Sequence, residues 1–169
     1  MTSETPIISK IQGQPFTGGD HDHRNCVATA LHSAAVLCER QGVRLTALRR
    51  RVLELVWRGH QPRGAYDILE ELHRDGRHAA PPTVYRALEF LRMHGLIHRI
   101  ESLNAFIGCV APDEPHSGQF MICNSCGGAA EVNDLAISKA LRRSASQSGF
   151  AIQQQTIEMR GLCPACQTP

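Results

Sequence analysis

The chain has 169 residues, 42% of them hydrophobic but only 5% aromatic, so one generous domain or two small ones must build their cores on aliphatic side chains. No apolar run approaches the roughly 20 residues that span a bilayer, and the N-terminal segment lacks the charged start and apolar core of a secretory signal. These features exclude a membrane-spanning protein, and we expect a cytoplasmic one without a membrane partner.

The net charge of +2 hides an uneven distribution of basic residues. Residues 40–100 contain 12 arginines and no lysine, against 6 acidic residues. An arginine-rich segment of this kind is typical of a surface that faces an anionic polymer such as DNA. On charge alone, a basic face in contact only with water is an equally good interpretation.

Residues 1–24 carry glycine, proline and polar residues without periodicity, so we predict a flexible N-terminal arm there. From Cys26 onward the apolar residues recur with a helical period until Gly42, which stops the helix. We expect both Cys26 and Cys38 to belong to the core of this first helix.

A second helix is predicted after Thr46, a residue type that caps helix N-termini. Arg49, Arg50 and Arg51 lie in its first turn and must fan outward, toward phosphate groups or water. A third helix is predicted over residues 64–76, which end at a glycine.

The fourth helix is predicted to start at Pro81, since proline suits the first helical turn, and to end at Gly95. Two extended runs follow at Leu96–Glu101 and Ala105–Val110, and their alternation predicts a hairpin. Helices followed at once by a hairpin form a winged helix-turn-helix, with the fourth helix in the major groove of DNA. Residues 25–110 are therefore predicted to be a DNA-binding domain.

A polar, proline-bearing linker is predicted at residues 111–116, and a small α/β domain over 117–169. In that domain we predict two short strands, a helix that Asp134 caps, and a strand over Phe150–Met159. The predicted fold class is α+β.

Seven cysteines, an odd number, suit metal binding or redox chemistry better than a set of disulfides. Four of them form two CxxC pairs, Cys123 with Cys126 and Cys163 with Cys166. Two such pairs beside extended segments can place four thiolates tetrahedrally around one zinc ion. We predict a structural zinc site that stabilises a small core.

The second CxxC pair has an enzymatic alternative, the redox dithiol of glutaredoxin-type sites. Such a dithiol needs a following helix whose N-terminus lowers the thiol pKa, and only three residues follow Cys166. The sequence contains no HxE element of a zinc deaminase, and it shows no hydrolase triad or phosphate-binding glycine loop. We therefore predict no enzyme and no small-molecule substrate.

Four further residues could bind a second metal ion, namely His98, Cys109, His116 and Glu131. They are dispersed over the two predicted domains, and each has an ordinary structural explanation. A lone His or Glu is usually a surface residue, and a lone Cys is often a small core residue. Spacing alone therefore leaves this site open.

The sequence resembles the ferric uptake regulator family, most closely its zinc-sensing branch, at PPTVYRAL (81–88), GLIH (95–98) and CNSCG (123–127). The resemblance covers about residues 25–167. It implies a homodimer whose N-terminal winged helices bind a palindromic operator when a regulatory metal is bound. The C-terminal domain would then be a zinc-stapled dimerisation domain, and the protein a repressor of zinc-uptake genes.

The same resemblance implies two zinc ions per chain. The family's structural ligands fall on the four CxxC cysteines, and its zinc-sensing ligands fall on His98, Cys109, His116 and Glu131. A Cys/His/His/Glu set suits tetrahedral zinc better than an ion that prefers octahedral oxygen ligands.

The family's DNA-contacting helix falls on residues 81–94. Thr83, Tyr85 and Arg86 match its exposed positions, and Tyr66 matches a supporting contact. Arg86 could read a guanine with its two-pronged guanidinium group.

One stretch departs from the iron-sensing members of the family, which carry a histidine-rich HHDH stretch before the first CxxC pair. This chain has Pro115, His116, Ser117 and Gly118 there. The difference argues against an iron sensor, although a sensor of iron, manganese or peroxide in the same fold stays an alternative to the zinc sensor.

Overall fold

The computed structural model describes Phe16 and residues 23–59, 61–113 and 118–167. The N-terminal half contains α1 (His23–Arg40), α2 (Ala47–Val56), β1 (Arg63–Gly64), α3 (Ala65–Arg74), α4 (Pro81–Met93), β2 (Ile97–Ile100), a 3-10 turn (Glu101–Leu103) and β3 (Ala105–Gly108). The C-terminal half contains β4 (Gly118–Cys123), β5 (Ala129–Val132), α5 (Leu135–Gln147), β6 (Thr156–Gly161) and α6 (Pro164–Gln167).

Local sequence signals set the ends of the N-terminal helices. The Thr46 side chain accepts a hydrogen bond from the Arg49 amide at 3.4 Å and caps α2. Pro81 begins α4, and Gly95, with a φ of 70°, ends it. The buried residues of the helices form one core with residues next to and within β2 and β3: Leu31, Ala34, Leu37, Cys38, Val52, Leu53, Leu55, Val56, Ala65, Ile68, Leu72, Val84, Ala87, Leu88, Leu91, Leu96, Ile97 and Phe106.

Strands β2 and β3 form the predicted antiparallel hairpin, which together with its 3-10 turn we call the wing. Ile97 pairs with Gly108 and Ile100 pairs with Ala105. The turn closes at Asn104, whose φ of 47° lies in the left-handed region that asparagine tolerates. The two-residue β1 adds a third strand on the other side of β3. Helices followed by this small sheet are the arrangement of a winged helix.

The C-terminal half is built on a three-stranded sheet of order β5-β4-β6. Strand β5 is antiparallel to β4, while β6 is parallel to it after the chain has returned through α5. Asp134 caps α5 by accepting a hydrogen bond from the Ala136 amide at 2.7 Å. The buried Gln119 of β4 donates to the Asp134 carbonyl and to the Ser138 hydroxyl, at 3.1 and 2.9 Å. These polar contacts fix α5 on the sheet. The helices and the two sheets together confirm the predicted α+β fold class.

The predicted strand over Phe150–Met159 is wrong in its first half. Phe150 lies just beyond α5, in the turn that ends the helix. Its amide donates to the Ala145 carbonyl at 2.8 Å, and Gly149 takes a φ of 64°. The strand itself covers Thr156–Gly161. The error arises because the apolar residues of the helix end and those of the strand read as one alternating run.

Within the described residues, no helix is both long enough and apolar enough to cross a membrane.

Candidate metal centres and nucleic-acid interface

The four CxxC cysteines come together in one cluster. Cys123 ends β4, Cys126 lies in the turn that follows, and Cys163 and Cys166 lie at the start and end of the single turn of α6. The four sulfur atoms lie within 4.8 Å of one another. The Sγ atoms of Cys126 and Cys163 are 3.8 Å apart. Tetrahedral sulfur ligands about 2.3 Å from zinc are separated by about 3.8 Å, so this donor set fits a zinc ion.

Backbone hydrogen bonds hold the cluster and favour a thiolate within it. The Gly127 amide donates to the Cys123 carbonyl at 3.0 Å, and Gly127 takes a φ of 71° that a larger residue rarely adopts. The Cys163 amide donates to the Cys123 sulfur at 3.4 Å. Amides of Cys126 and Cys163 lower the pKa of the Cys123 thiol to about 6. A thiolate is the form that binds zinc, so the chain prepares the site for a metal ion.

The redox alternative for the second CxxC pair finds little support in this geometry. One turn of helix does follow Cys163, where none was expected, but burial raises the pKa of the Cys163 thiol. A redox dithiol needs the opposite shift. The pair also lies within 4.8 Å of two further sulfur atoms, an arrangement that suits metal binding.

A second cluster joins the two halves of the chain. His98 on β2, Cys109 just after β3 and Glu131 on β5 each offer a ligand atom within 4.8 Å of the others. The Nε2 atom of His98 lies 2.8 Å from Oε1 of Glu131. The other carboxylate oxygen of Glu131 accepts a hydrogen bond from the Val110 amide at 3.1 Å. A nitrogen, a sulfur and an oxygen donor thus converge at the boundary between the halves.

The surroundings of this second cluster fit a metal site. The His98 ring packs edge-on against Phe120 of β4, with ring centroids 5.4 Å apart. Burial lowers the pKa of His98, but hydrogen bonds with Cys109 and Glu131 outweigh burial and raise that pKa to about 9. A metal ion that binds here would therefore displace the proton of His98. Imidazole, thiolate and carboxylate are the three ligand types that zinc accepts in proteins. The fourth residue predicted for this site, His116, lies outside the described residues.

The residues predicted to contact DNA lie on exposed faces of α3 and α4. Thr83, Tyr85 and Arg86 are exposed near the start of α4, whereas the opposite face of that helix is buried in the core. Tyr66 lies at the start of α3. The chain has two tyrosines, Tyr66 and Tyr85, and both are exposed, at 68% and 43%. Large aromatic side chains left in water are common at binding surfaces.

The three adjacent arginines of α2 have different surroundings. The Arg49 guanidinium lies 3.5 Å from the centre of the Phe90 ring, a cation–π contact. Arg51 donates to Asp75 at 2.6 Å and lies 2.9 Å from Glu54. Arg50 is exposed. Arg49 and Arg51 therefore contribute to packing between helices, and Arg50 is the most exposed of the three.

Two contacts that position these sites are not evident from the sequence. A Cβ atom added to Gly108 would lie 2.2 Å from Cε2 of Trp57, so the indole ring packs directly on the strand that leads to Cys109. The Gln61 side chain donates to the Cys126 carbonyl at 2.7 Å and ties the loop before β1 to the CxxC cluster. A glycine beside a candidate ligand is the only signal in the sequence for the first contact, and nothing marks the second.

Comparisons with known proteins agree with this arrangement. The sequence profile of the ferric uptake regulator family matches residues 40–160. The zinc uptake regulation protein of Escherichia coli (strain K12) is 38% identical over 137 residues, which cover 80% of each chain. A zinc uptake regulator complexed with zinc and DNA superposes with a TM-score of 0.80 at 37% identity, covering 83% of this chain and 95% of that one. Holo XcZur superposes with a TM-score of 0.76 at 38% identity, covering 82% and 97%. The chain therefore belongs to the ferric uptake regulator family.

Proposed function

We propose that this protein is a zinc-responsive transcriptional repressor that binds operator DNA as a zinc-loaded dimer and controls zinc-uptake genes. The observation that carries the proposal is the convergence of His98, Cys109 and Glu131 within 4.8 Å. Two of these ligands belong to the wing side of the chain and one to the C-terminal sheet. A metal site shared in this way depends on how the DNA-binding half lies against the rest of the molecule.

The wing and the C-terminal sheet also share an apolar contact. Ile100 and Ile107 of the wing form one buried cluster with Phe120, Ile122 and Ala129 of the sheet. The ligands of the second site lie beside this cluster, so they hold the same interface that the apolar side chains form. We call the arrangement in which the wing packs on the sheet the closed arrangement, and zinc bound at this site would stabilise it further. A ligand that binds one arrangement more tightly shifts the population of molecules toward that arrangement.

The donor set favours zinc over the other metals that members of this fold could sense. Cys109 is buried and lies among the candidate ligands. Thiolate is a poor ligand for manganese and a good one for tetrahedral zinc. The similarity to the zinc uptake regulation protein of Escherichia coli, and to a zinc uptake regulator complexed with zinc and DNA, supports the same metal.

We assign two zinc ions to each chain, with separate roles. The four-cysteine cluster would hold a structural ion that joins the end of β4 to the segment around α6, since Cys163 directly precedes α6 and Cys166 lies within it. The cluster of His98, Cys109 and Glu131, completed by His116, would hold the regulatory ion. Sulfur-rich tetrahedral sites are typically structural, whereas mixed sites between domains can respond to the metal supply.

The exposed apolar side chains of the C-terminal half support a dimer. They lie on α5, on β6 and on the segments next to them: Leu135, Leu141, Phe150, Ile152, Met159 and Leu162. Phe150 is 68% exposed and Leu135 is 62% exposed. Strand β6 is also an edge of its sheet, where unpaired backbone groups favour pairing with another strand. A second copy of the chain would cover this surface.

In this dimer each protomer presents α4 to DNA. Two recognition helices must meet major grooves at a spacing fixed by the helical repeat, and a two-fold dimer matches a palindromic operator. For the parts of the chain we propose the boundaries expected from the sequence: an arm at 1–24, the DNA-binding domain at 25–110, a linker at 111–116 and the dimerisation domain at 117–169. Helix α1 already begins at His23. A regulator of this kind acts on chromosomal DNA, so we place it in the cytoplasm.

Metal selectivity of DNA binding tests the proposal. A fluorescent duplex would first be selected from a random-sequence library by the zinc-loaded protein. Fluorescence anisotropy with this duplex would then be measured in buffered zinc, manganese and, without oxygen, ferrous iron. Tight binding at the lowest free concentration for zinc supports the proposal, whereas tighter binding with iron or manganese, or equal binding without any added metal, contradicts it.

A further inference from the structure

A row of three side chains crosses the C-terminal sheet and faces the wing. Phe120 of β4 pairs with Glu131 of β5 on one side and with Glu158 of β6 on the other. Side chains of residues directly opposite one another on neighbouring strands share a face of the sheet. Glu131 and Phe120 both contact His98, as described above. The register therefore places Glu158 on the face against which the wing packs.

The Glu158 carboxylate holds the far end of the wing strand β2. Its Oε1 atom accepts a hydrogen bond from the Glu101 amide at 2.7 Å. The Ser102 amide lies 3.3 Å from Oε2 and 3.4 Å from Oε1. These amides begin the 3-10 turn, so they have no acceptor within the turn itself. Burial raises the pKa of Glu158, but the hydrogen bonds with Ser102 and Glu101 outweigh it and lower the pKa overall.

This contact is separate from the metal ligands. Glu158 lies on β6, whereas the candidate ligands lie on β2, after β3 and on β5. His98 and Glu101 are three residues apart along an extended strand, which corresponds to roughly 10 Å. One end of β2 is thus held through a metal-binding residue and the other end through a carboxylate that binds backbone amides. Together with the apolar cluster that Ile100 forms with the sheet, these two contacts fix the direction of the strand.

We propose that Glu158 is a positioning residue that sets the zinc concentration at which the protein binds DNA, because it holds the wing on the C-terminal sheet whether or not the regulatory site is filled. This inference rests on the proposed function. A contact that stabilises the closed arrangement without zinc raises the fraction of molecules that are ready for zinc. The apparent affinity for zinc increases in proportion to that fraction.

Removal of the carboxylate should therefore raise the zinc requirement without removing the zinc site. The variants are Glu158→Gln, which keeps one carbonyl oxygen as an acceptor, and Glu158→Ala, which keeps none. Glu39→Gln is the matched control, because Glu39 is an exposed carboxylate on α1, in the other half of the chain. All three variants would be compared with the wild type in anisotropy titrations of the selected duplex against buffered free zinc, with the bound zinc counted in each sample.

We expect the zinc midpoint to rise roughly 3- to 10-fold in Glu158→Ala, the factor that about one net hydrogen bond supplies. It should rise by less in Glu158→Gln and stay at the wild-type value in Glu39→Gln. The zinc content and the DNA affinity at saturating zinc should be unchanged. An effect of charge alone would shift both Glu158 variants and the control equally, and a folding defect would lower the affinity at saturating zinc; either result overturns the proposal.

Midpoints of the Glu158 variants that coincide with a zinc-dependent wild-type curve would overturn the inference and leave the proposed function intact. A wild-type curve that does not depend on zinc would instead overturn the proposed function, and the role of Glu158 with it. The wild-type curve alone distinguishes these two failures.

Discussion

His98 and Glu131 lie on different halves of the chain, and the Nε2 atom of the first is 2.8 Å from Oε1 of the second. Cys109 completes a group of three ligand atoms at the same point. Two of these residues make a second contact between the halves: His98 packs on Phe120, and Glu131 accepts a hydrogen bond from the Val110 amide. A change in the position of the wing on the C-terminal sheet would consequently also change the geometry of the candidate metal site.

Replacement of Cys109 with serine should separate zinc sensing from folding. The variant loses the thiolate of the regulatory site but leaves the four-cysteine cluster whole, so we expect a folded dimer with one zinc per chain. Zinc-dependent DNA binding should fall by about 100-fold, the factor that about 3 kcal/mol of coupling supplies. Anisotropy and zinc counting measure both effects. Cys26→Ser, which removes a thiol outside both clusters, is the control, and full zinc-dependent binding by Cys109→Ser would refute the sensing role.

Replacement of Cys123 with serine should impair folding and dimerisation, in contrast to the replacement of Cys109. The loss of one ligand removes the structural zinc that ties β4 to the segment around α6, and a small core depends on such a tie. We expect the C-terminal half to unfold and the dimer to dissociate. Circular dichroism and analytical ultracentrifugation follow the two changes. A variant that stays dimeric with an unchanged melting temperature would show that this cluster is not structural.

Arg86 and Arg50 should differ in what they contribute to DNA binding. If Arg86 reads a base, Arg86→Ala should cost about 1 to 3 kcal/mol on the selected duplex and little on random DNA. If Arg50 meets a phosphate, Arg50→Ala should weaken both and reduce the slope of log affinity against log salt by about one. Titrations over a range of salt concentrations measure both quantities. Equal losses on specific and random DNA for Arg86→Ala would contradict its role.

Gly108 should not tolerate a side chain. A methyl group there overlaps the indole ring of Trp57, so Gly108→Ala must displace the ring or the strand. We expect a loss of about 1 to 3 kcal/mol in the free energy of unfolding, or about 2 to 4 °C in melting temperature for each 1 kcal/mol. Gly161→Ala is the control, because among the described residues no atom beyond its two chain neighbours lies within 4 Å of its added Cβ. Trp57 is the only tryptophan in the sequence, so its fluorescence reports the change directly. An emission spectrum and a stability that both stay unchanged would contradict this packing.

The helices of the N-terminal half could be predicted because their signals are local. Thr46, Pro81 and Gly95 mark ends that depend on only a few neighbouring residues. Strand β1 could not be predicted in the same way, since Arg63 and Gly64 form a strand only through pairing with β3, about 40 residues later. The parallel pairing of β6 with β4 is likewise a non-local result, and the apolar residues before it led to a strand that starts too early.

The two candidate metal sites also differ in how far they could be predicted from the sequence. The CxxC spacing alone indicates four sulfur ligands, because each pair is a local unit. The second cluster could not be derived from spacing, since its members come from β2, the end of β3 and β5 and meet only after the halves pack. Glu158 carries no sequence signal at all. Its partners are backbone amides, and any residue type could have supplied them.

Zinc stoichiometry measured together with DNA affinity tests whether a second, regulatory zinc ion controls DNA binding. Samples of the wild-type dimer would be equilibrated with the selected duplex across buffered free zinc, and the zinc bound per chain would be counted in the same samples in which anisotropy is read. We predict two zinc ions per chain, with the second one binding over the range in which DNA affinity rises. One tightly held zinc per chain and a DNA affinity that does not change with zinc would contradict it.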